Sequence, residues 1–241
     1  MISCFISYKG GVGKTTSCIN IAGFLKTFKK SVLVVDCDAQ ANATSALGIA
    51  KESIENSIYD VLTGNTKMRN IILENREEIH VAPANMELAK CNISDKRELK
   101  SALEEVEDLY DFILIDTPPS ASVLMLNGVY ASDLSFPCFD GGVLALESYS
   151  VLDSILRGEE IEAKMDCALV CKYGKNLRER IFGKEKEIIA DISKLFDEIF
   201  VVPYDYHTGL SQIEGKSLAS LHPNSGAGKA YREIAEWLLR R

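Results

Sequence analysis

Residues 7–16 carry the sequence Ser-Tyr-Lys-Gly-Gly-Val-Gly-Lys-Thr-Thr, which follows an apolar run and precedes a segment of helical composition. A glycine-rich loop between a buried strand and a helix lets successive backbone N–H groups converge on phosphate oxygens. The first turn of the helix adds the positive end of its dipole at the same place. This stretch therefore predicts a phosphate-binding loop within an α/β fold.

The loop supplies side-chain ligands as well as backbone ones. Lys14 would neutralise the β- and γ-phosphates of a nucleotide, and Thr15 would place a hydroxyl on Mg²⁺. The strict pattern GxxxxGK[ST] requires glycine at position 8, where this chain has Tyr8, and a second lysine, Lys9, lies inside the loop. The predicted nucleotide-binding residues of the loop are Lys9, Gly10, Gly11, Val12, Gly13, Lys14, Thr15 and Thr16.

Two further apolar runs end in aspartate. Val32–Val35 is followed by Asp36 and then Asp38, and Phe112–Ile115 is followed by Asp116. Ligands gather at the carboxyl ends of parallel strands, where carboxylates beside the loop threonine suit Mg²⁺ and its water shell. An aspartate after four apolar residues is the Walker B pattern. The predicted metal site comprises Thr15, Asp36 and Asp116.

Residues 9–16 resemble the deviant Walker A loop of the ParA/MinD group of P-loop ATPases. In that group the early lysine, here Lys9, reaches across a dimer interface to the phosphates bound by the other subunit. Residues 36–48 are similar to the family segment D-x-D-P-Q-G-N-A-T-S-x-L-G, with Ala39 and Ala41 replacing its proline and glycine. The resemblance covers essentially the whole chain and implies an ATP-sandwich homodimer with slow turnover.

The resemblance also implies roles for individual residues, with ATP and Mg²⁺ as cofactors. Asp38 would orient the attacking water, so the implied catalytic residues are Lys9, Lys14 and Asp38. Residues 116–120 resemble the second switch of the family. The adenine of the family lies near the segment matching residues 201–205, which implicates Pro203 and Tyr204. ATP is favoured over GTP because residues 171–174 read Cys-Lys-Tyr-Gly where a guanine signature would stand.

Short apolar runs alternate with longer amphipathic segments, a pattern that predicts right-handed βαβ units. The expected fold is a single P-loop NTPase domain over residues 1–241, with helices flanking a doubly wound, mostly parallel sheet. The predicted strands are Ile2–Ser7, Val32–Val35, Ile79–Ala82, Phe112–Ile115, Leu134–Pro137, Ala168–Cys171 and Ile199–Val202. The predicted helices cover residues 15–28, 95–109, 147–163, 184–197 and 226–240.

Composition limits the classes of protein to which the chain can belong. Its 241 residues are 46% apolar and 26% charged, which excludes intrinsic disorder for most of the chain. The seven cysteines include no CxxC pair, which favours reduced thiols and a cytoplasmic location. No apolar run approaches the length of a transmembrane helix. Because the phosphate loop begins at residue 9, we expect the short form of the family, without an N-terminal DNA-binding domain.

Basic residues concentrate toward the C-terminus, although the whole chain has a net charge of −8. Residues 164–186 contain seven basic and three acidic residues, and residues 216–241 contain five and two. A basic patch is sufficient for phosphate binding without base readout, and such binding is steeply salt-dependent. The predicted DNA-binding residues are Lys175, Arg178, Arg180, Lys184, Lys186 and Lys216.

Taken with the resemblance, these features predict an ATP-dependent dimerisation switch for plasmid or chromosome segregation. Its ATP dimer would bind non-specific DNA on the nucleoid, and a ParB-like partner would stimulate hydrolysis. One alternative is the positioning of a protein cargo, as in the MinD or organelle-positioning branches. Another is a metabolic or electron-transfer relative, such as a dethiobiotin synthetase-like ligase or the nitrogenase iron protein. Membrane binding is not expected, because Ala227–Arg241 has one apolar stripe suited to packing on the sheet.

Overall fold

The computed structural model describes residues 1–93, 95–142, 144–174 and 183–241. Its strands are β1 (Ile2–Ile6), β2 (Val32–Asp36), β3 (Leu73–Glu74), β4 (His80–Ala82), β5 (Phe112–Asp116), β6 (Leu134–Asp140), β7 (Cys167–Tyr173) and β8 (Glu198–Pro203). They form one eight-stranded sheet in the order β3-β4-β2-β5-β1-β6-β7-β8. Every pairing is parallel except that of β3 with β4. The predicted doubly wound, mostly parallel sheet is therefore confirmed.

Helices connect these strands on both faces of the sheet. They are α1 (Lys14–Thr27), α2 (Asn42–Ala46), α3 (Ile58–Leu62), α4 (Glu98–Leu103), α5 (Val123–Ala131), α6 (Ala145–Gly158), α7 (Lys184–Ile192), α8 (His207–Ile213), α9 (Leu218–Leu221) and α10 (Gly226–Leu238). Short 3₁₀ helices cover Lys51–Ser53, Met68–Asn70, Met86–Lys90 and Glu107–Leu109.

The elements that sequence analysis missed share identifiable physical causes. Helix α5 is buried on nearly all sides, so it shows no polar face from which a helical period can be read. Strand β3 has two exposed residues and is too short to show alternation. The helix predicted over 95–109 contracts to α4 and a separate 3₁₀ turn, Glu107–Leu109. Helices α2, α3, α8 and α9 are also too short for a reliable period.

The core consists of two apolar layers, one on each face of the sheet. On one face, Phe5 of β1 packs in the same cluster as Phe24 of α1 and Tyr231 of α10. On the other face, Cys4 belongs to a cluster with Met125 of α5. Successive β1 residues face opposite layers because side chains alternate along a strand. The two layers hold the carboxyl ends of β1, β2 and β5 side by side, where ligands bind in such sheets.

The last helix packs as its apolar stripe predicts. Tyr231, Ile234, Ala235 and Leu238 of α10 are all buried in the layer that also contains α1. The Tyr231 hydroxyl lies 3.3 Å from the Ser17 hydroxyl of α1. Among the helices that the structure describes, none has both the length and the apolar character needed to cross a membrane.

Candidate active site

The loop between β1 and α1 has a backbone that depends on two glycines. Gly11 and Gly13 have φ values of +72° and +117°, which side-chain-bearing residues rarely adopt. A Cβ atom on Gly13 would also lie 2.9 Å from the Cβ atom of Cys171 in β7. Lys14 follows as the first residue of α1 and is buried, with a relative exposure of 6%. Glycine at position 13 is thus required both by conformation and by packing.

A cavity of about 190 Å³ opens where this loop meets the ends of β2, β5 and β7. It brings together residues that are far apart in the sequence, including Asp38 after β2 and Pro119 after β5. Four of the lining residues, Asn42, Thr117, Pro119 and Lys172, were not among the site residues predicted from the sequence. The residues around the cavity are Gly11, Gly13, Lys14, Thr15, Thr16, Asp38, Asn42, Thr117, Pro119 and Lys172.

Asp116, at the end of β5, pairs with the phosphate loop. Its Oδ2 atom accepts a hydrogen bond of 2.7 Å from the Thr15 hydroxyl. Its Oδ1 atom is buried and has no hydrogen-bond partner among the described residues. Burial raises the pKa of this carboxyl group above its usual value, and the charge of Asp36 raises it further. Asp116 therefore offers an unpartnered buried oxygen beside a hydroxyl group.

Asp36 lies directly opposite Asp116 in the β2–β5 pairing and is equally buried. Its Oδ2 atom accepts hydrogen bonds from the Thr44 backbone N–H at 2.8 Å and from the Thr44 hydroxyl at 2.7 Å. Its Oδ1 atom accepts the Asp38 N–H at 3.1 Å. Burial raises the pKa of Asp36 even though these hydrogen bonds oppose the shift. Both of its oxygens hold the segment between Asp38 and Thr44.

The oxygen-rich end of the sheet fits Mg²⁺. This ion prefers hard oxygen ligands and usually takes only one or two from the protein, with waters and phosphates completing the shell. The Thr15 hydroxyl and the unpartnered Asp116 oxygen are oxygen ligands of this kind. No group of three or more His, Cys, Asp or Glu side chains in the described ranges is arranged to hold a metal. The assignment of Thr15, Asp36 and Asp116 as metal ligands stays a prediction.

Asp38 lines the cavity with 9% of its surface exposed, and its Oδ1 atom accepts the Gln40 N–H at 3.0 Å. The segment that follows turns sharply at Ala41, which has a φ of +51°. Ala41 stands where the similar family segment has glycine. Glycine suits this position because the backbone there is left-handed. A non-glycine residue in this region costs roughly 1 kcal/mol, so this turn is strained.

Lys9 is not among the residues that line the cavity, and it binds a residue that was not predicted as part of the site. Its Nζ atom lies 2.5 Å from Oδ2 of Asp140, at the end of β6. The two side chains are 41% and 27% exposed. Its role toward the nucleotide of a second subunit stays a prediction.

The residues assigned to adenine lie at the end of β8, which is separated by β6 and β7 from the strand that precedes the loop. Pro203 ends β8 opposite Tyr173, and the Tyr204 N–H donates a hydrogen bond of 2.8 Å to the Tyr173 carbonyl. Tyr204 is 53% exposed. Neither Pro203 nor Tyr204 belongs to the cavity lining. The assignment of these two residues to the base stays a prediction.

The predicted DNA-binding residues fall largely outside what the structure describes. Lys175, Arg178 and Arg180 lie in the undescribed range 175–182, and only the backbone of Lys184 is described, at the start of α7. Lys186 is exposed, and Lys216 is half-buried between α8 and α9. The proposed DNA surface therefore rests on the sequence.

Comparison with known proteins places the chain in a family. A family model described as an AAA domain matches residues 1–157. The sporulation initiation inhibitor protein Soj of Bacillus subtilis (strain 168) is 33% identical over 245 residues, which cover 98% of this chain and 96% of that protein. The chromosome-partitioning ATPase Soj of Thermus thermophilus is 31% identical over 249 residues, which cover 97% and 93% of the two chains.

A solved structure with the same fold extends the comparison to the bound nucleotide. Cobyrinic acid a,c-diamide synthase from Mycobacterium smegmatis, with bound ATP analog and magnesium, has a TM-score of 0.82 and 26% sequence identity. The match covers 99% of this chain and 94% of that one. The sequence relatives and the fold agree with the resemblance predicted from residues 9–16 and 36–48. The chain therefore belongs to the ParA/MinD group of P-loop ATPases.

Proposed function

We propose that this protein is an Mg²⁺-dependent ATPase that acts as a dimerisation switch in DNA segregation. The observation that carries the proposal is the convergence of Lys14, Thr15 and Asp38 on one cavity, with Asp116 hydrogen-bonded to Thr15. This arrangement combines a cationic phosphate site, a cation-facing carboxylate and a carboxylate that can hold water. Phosphoryl transfer is mostly a matter of positioning and electrostatics, and these groups supply both.

Each side chain has a distinct task in the proposed hydrolysis. The loop amides and Lys14 bind the β- and γ-phosphates and offset the charge that develops on the leaving oxygen. Thr15 and Asp116 would hold Mg²⁺, which when bound supplies further charge neutralisation between these phosphates. Asp38 accepts a hydrogen bond from the attacking water and fixes its direction. Asp36 keeps Asp38 in place through the Asp38 N–H.

Lys9 would couple the nucleotide to dimerisation. In the single chain its ammonium group pairs with Asp140, and both side chains are partly exposed. An exposed ion pair of this kind contributes only about 0–1 kcal/mol, so its loss would oppose binding to a triphosphate in a second subunit only weakly. We infer that Lys9 leaves Asp140 when the ATP-bound dimer forms.

The target of the ATP dimer is proposed from the relatives and from charge. The Thermus relative is named a chromosome-partitioning ATPase, and this chain covers 93% of its length. Lys175, Arg178, Arg180, Lys184, Lys186 and Lys216 would bind DNA phosphates on the nucleoid. A ParB-like partner would stimulate hydrolysis and return the protein to the monomer. Positioning of a protein cargo by the same cycle is the alternative outcome of the test.

The test measures retention on non-specific duplex DNA with ATP, ADP or no nucleotide. Asp38→Ala should hold the ATP state by slowing hydrolysis, so its retention should be ATP-specific and should fall steeply with salt. Arg178→Glu combined with Arg180→Glu should weaken it, whereas Arg157→Glu on α6, outside both basic segments, serves as the matched control. DNA retention independent of nucleotide would contradict the switch. ATP dimers that ignore DNA would favour a protein cargo.

A further inference from the structure

Lys172, the penultimate residue of β7, reaches the phosphate loop and lines the same cavity as Asp38. Its Nζ atom donates a hydrogen bond to the Gly11 carbonyl oxygen, and its side chain lines the same cavity as Lys14. We propose that Lys172 is a third nucleotide-binding cation, which contacts the phosphates of ADP and ATP. This inference rests on the proposed function, because it assumes that the cavity holds a nucleotide.

The backbone at Lys172 is distorted in a way that directs the side chain toward the loop. Lys172 has a φ of +61°, and the pairing of β7 with β8 shifts register between Val170 and Tyr173. The preceding residue, Cys171, faces the core and packs against Gly13 and Ser17. A regular strand would place the next side chain on the opposite face of the sheet. Strained residues of this kind concentrate at binding sites, where the position of the side chain compensates for the strain.

The ammonium group of Lys172 has unused hydrogen-bonding capacity. It carries three N–H donors and uses one on a neutral carbonyl oxygen. Within the described ranges it forms no ion pair with a carboxylate; the nearby Glu185 instead accepts the Gly174 N–H. A partly buried cation on a cavity wall, with no anionic partner in the part of the chain that the structure describes, is complementary to an anionic ligand. Two N–H donors remain for phosphate oxygens, which form strong charge-assisted hydrogen bonds.

The position of Lys172 determines which nucleotides should respond. It contacts the loop itself, at Gly11, and is separate from the Thr15–Asp116 pair assigned to Mg²⁺. Its charge should therefore support both the diphosphate and the triphosphate. Sequence analysis counted Lys172 within the basic segment 164–186 and did not assign it to the nucleotide site. The contact becomes visible only when the end of β7 is placed beside the loop.

The test is equilibrium binding of Mg-ADP and Mg-ATP to wild type and Lys172→Met by titration calorimetry. Methionine retains the length of the side chain and removes its charge. We expect the dissociation constants for both nucleotides to rise about tenfold, as expected for the loss of one charge-assisted hydrogen bond. The matched control is Lys29→Met, because Lys29 is also a lysine with a φ of +61° but lies in an exposed turn after α1. Lys29→Met should bind both nucleotides as wild type does.

Two further variants separate nucleotide binding from a merely structural role. Lys172→Gly relieves the left-handed backbone, so it should keep or raise the thermal stability of the nucleotide-free protein while weakening nucleotide binding. Lys172→Arg keeps the charge and should retain affinity within about threefold of wild type. Wild-type affinity in both Lys172→Met and Lys172→Gly would overturn the inference and leave the proposed function intact. Failure of the wild type itself to bind nucleotide would overturn the proposed function.

Discussion

Asp36 and Asp116 lie opposite each other at the ends of neighbouring strands, yet their carboxylates differ in the number of hydrogen bonds that they accept. Both follow four apolar residues, and both are fully buried. Asp36 accepts three hydrogen bonds from Thr44 and Asp38. Asp116 accepts one, from Thr15, and keeps a buried oxygen without a partner among the described residues.

The difference arises from the chain that follows each aspartate. Residues 38–44 turn back over β2, so their backbone N–H groups reach Asp36. Asp116 is followed by Thr117 and then by Pro118 and Pro119, which have no N–H to donate. Its partner comes instead from the phosphate loop. One aspartate therefore anchors a segment of the fold, whereas the other keeps an oxygen without a partner among the described residues, as the proposed Mg²⁺ site requires.

The largest effect should come from removing the anchoring carboxylate. Asp36→Ala leaves two backbone N–H groups and one hydroxyl without their acceptor, so the free energy of unfolding should fall by about 3 kcal/mol. Urea denaturation of the nucleotide-free protein measures this loss. The matched variant Asp116→Ala should lose less than half as much, and equal losses would remove the distinction between the two residues.

The second effect concerns ATP turnover, for which Asp116 should matter more than Asp36. Asp116→Asn keeps the size of the side chain and removes the charge that would face Mg²⁺. ATP turnover should fall about 100-fold, which corresponds to about 2.7 kcal/mol of transition-state stabilisation. Phosphate release at saturating Mg-ATP provides the measurement, with urea denaturation of the same sample as the control for folding. Turnover within threefold of wild type would exclude Asp116 from the mechanism.

A smaller effect comes from the two threonines that donate to these carboxylates. Thr44→Val removes the hydroxyl that donates to Asp36 and accepts the Ala84 N–H, and it should lower the free energy of unfolding by about 1.5 kcal/mol. Thr15→Val is the matched change at Asp116 and should affect stability less but weaken Mg²⁺-dependent nucleotide binding. Denaturation and binding measured on both variants test the pair. Loss of nucleotide binding in the stably folded Thr44→Val alone would contradict the account.

The smallest effect concerns a third aspartate, Asp205, whose carboxylate accepts several hydrogen bonds but is less deeply buried than those of Asp36 and Asp116. Burial acts to raise the pKa of Asp205, but hydrogen bonds from the Ala227 N–H, Ser225 and His207 lower it to about 2. Because the pKa is lower in the folded state, the charged form stabilises the fold above about pH 4, and this contribution disappears as the pH falls toward 2.

Asp205→Asn should therefore lower the free energy of unfolding at pH 7 by about 1 kcal/mol. The difference from wild type should shrink between pH 4 and pH 2, as measured by denaturation across that range. A difference that stays constant with pH would mean that the Asp205 charge does not contribute. At Asp36, burial raises the pKa by more than similar hydrogen bonds lower it. This contrast with Asp205 shows that the extent of burial decides the direction of the pKa shift.

The phosphate loop and most of the sheet were predictable from the sequence because both depend on local patterns. Glycines at fixed spacing identify the loop, and four-residue apolar runs identify the buried strands. The contacts of Lys9 with Asp140 and of Lys172 with Gly11 were not predictable, because each joins residues more than 130 positions apart. The different bonding of Asp36 and Asp116 also depends on tertiary placement. A repeated motif indicates where a carboxylate lies but not what its oxygens bind.

The most direct test of the central claim is the molar mass of Asp38→Ala in solution with ATP, ADP or no nucleotide, measured by light scattering. A dimer should form only with Mg-ATP, and the same variant carrying Lys9→Ala should bind ATP but stay monomeric. A protein that binds Mg-ATP in its cavity yet remains monomeric with Lys9 intact, or a double variant that dimerises as readily, would contradict the proposed switch.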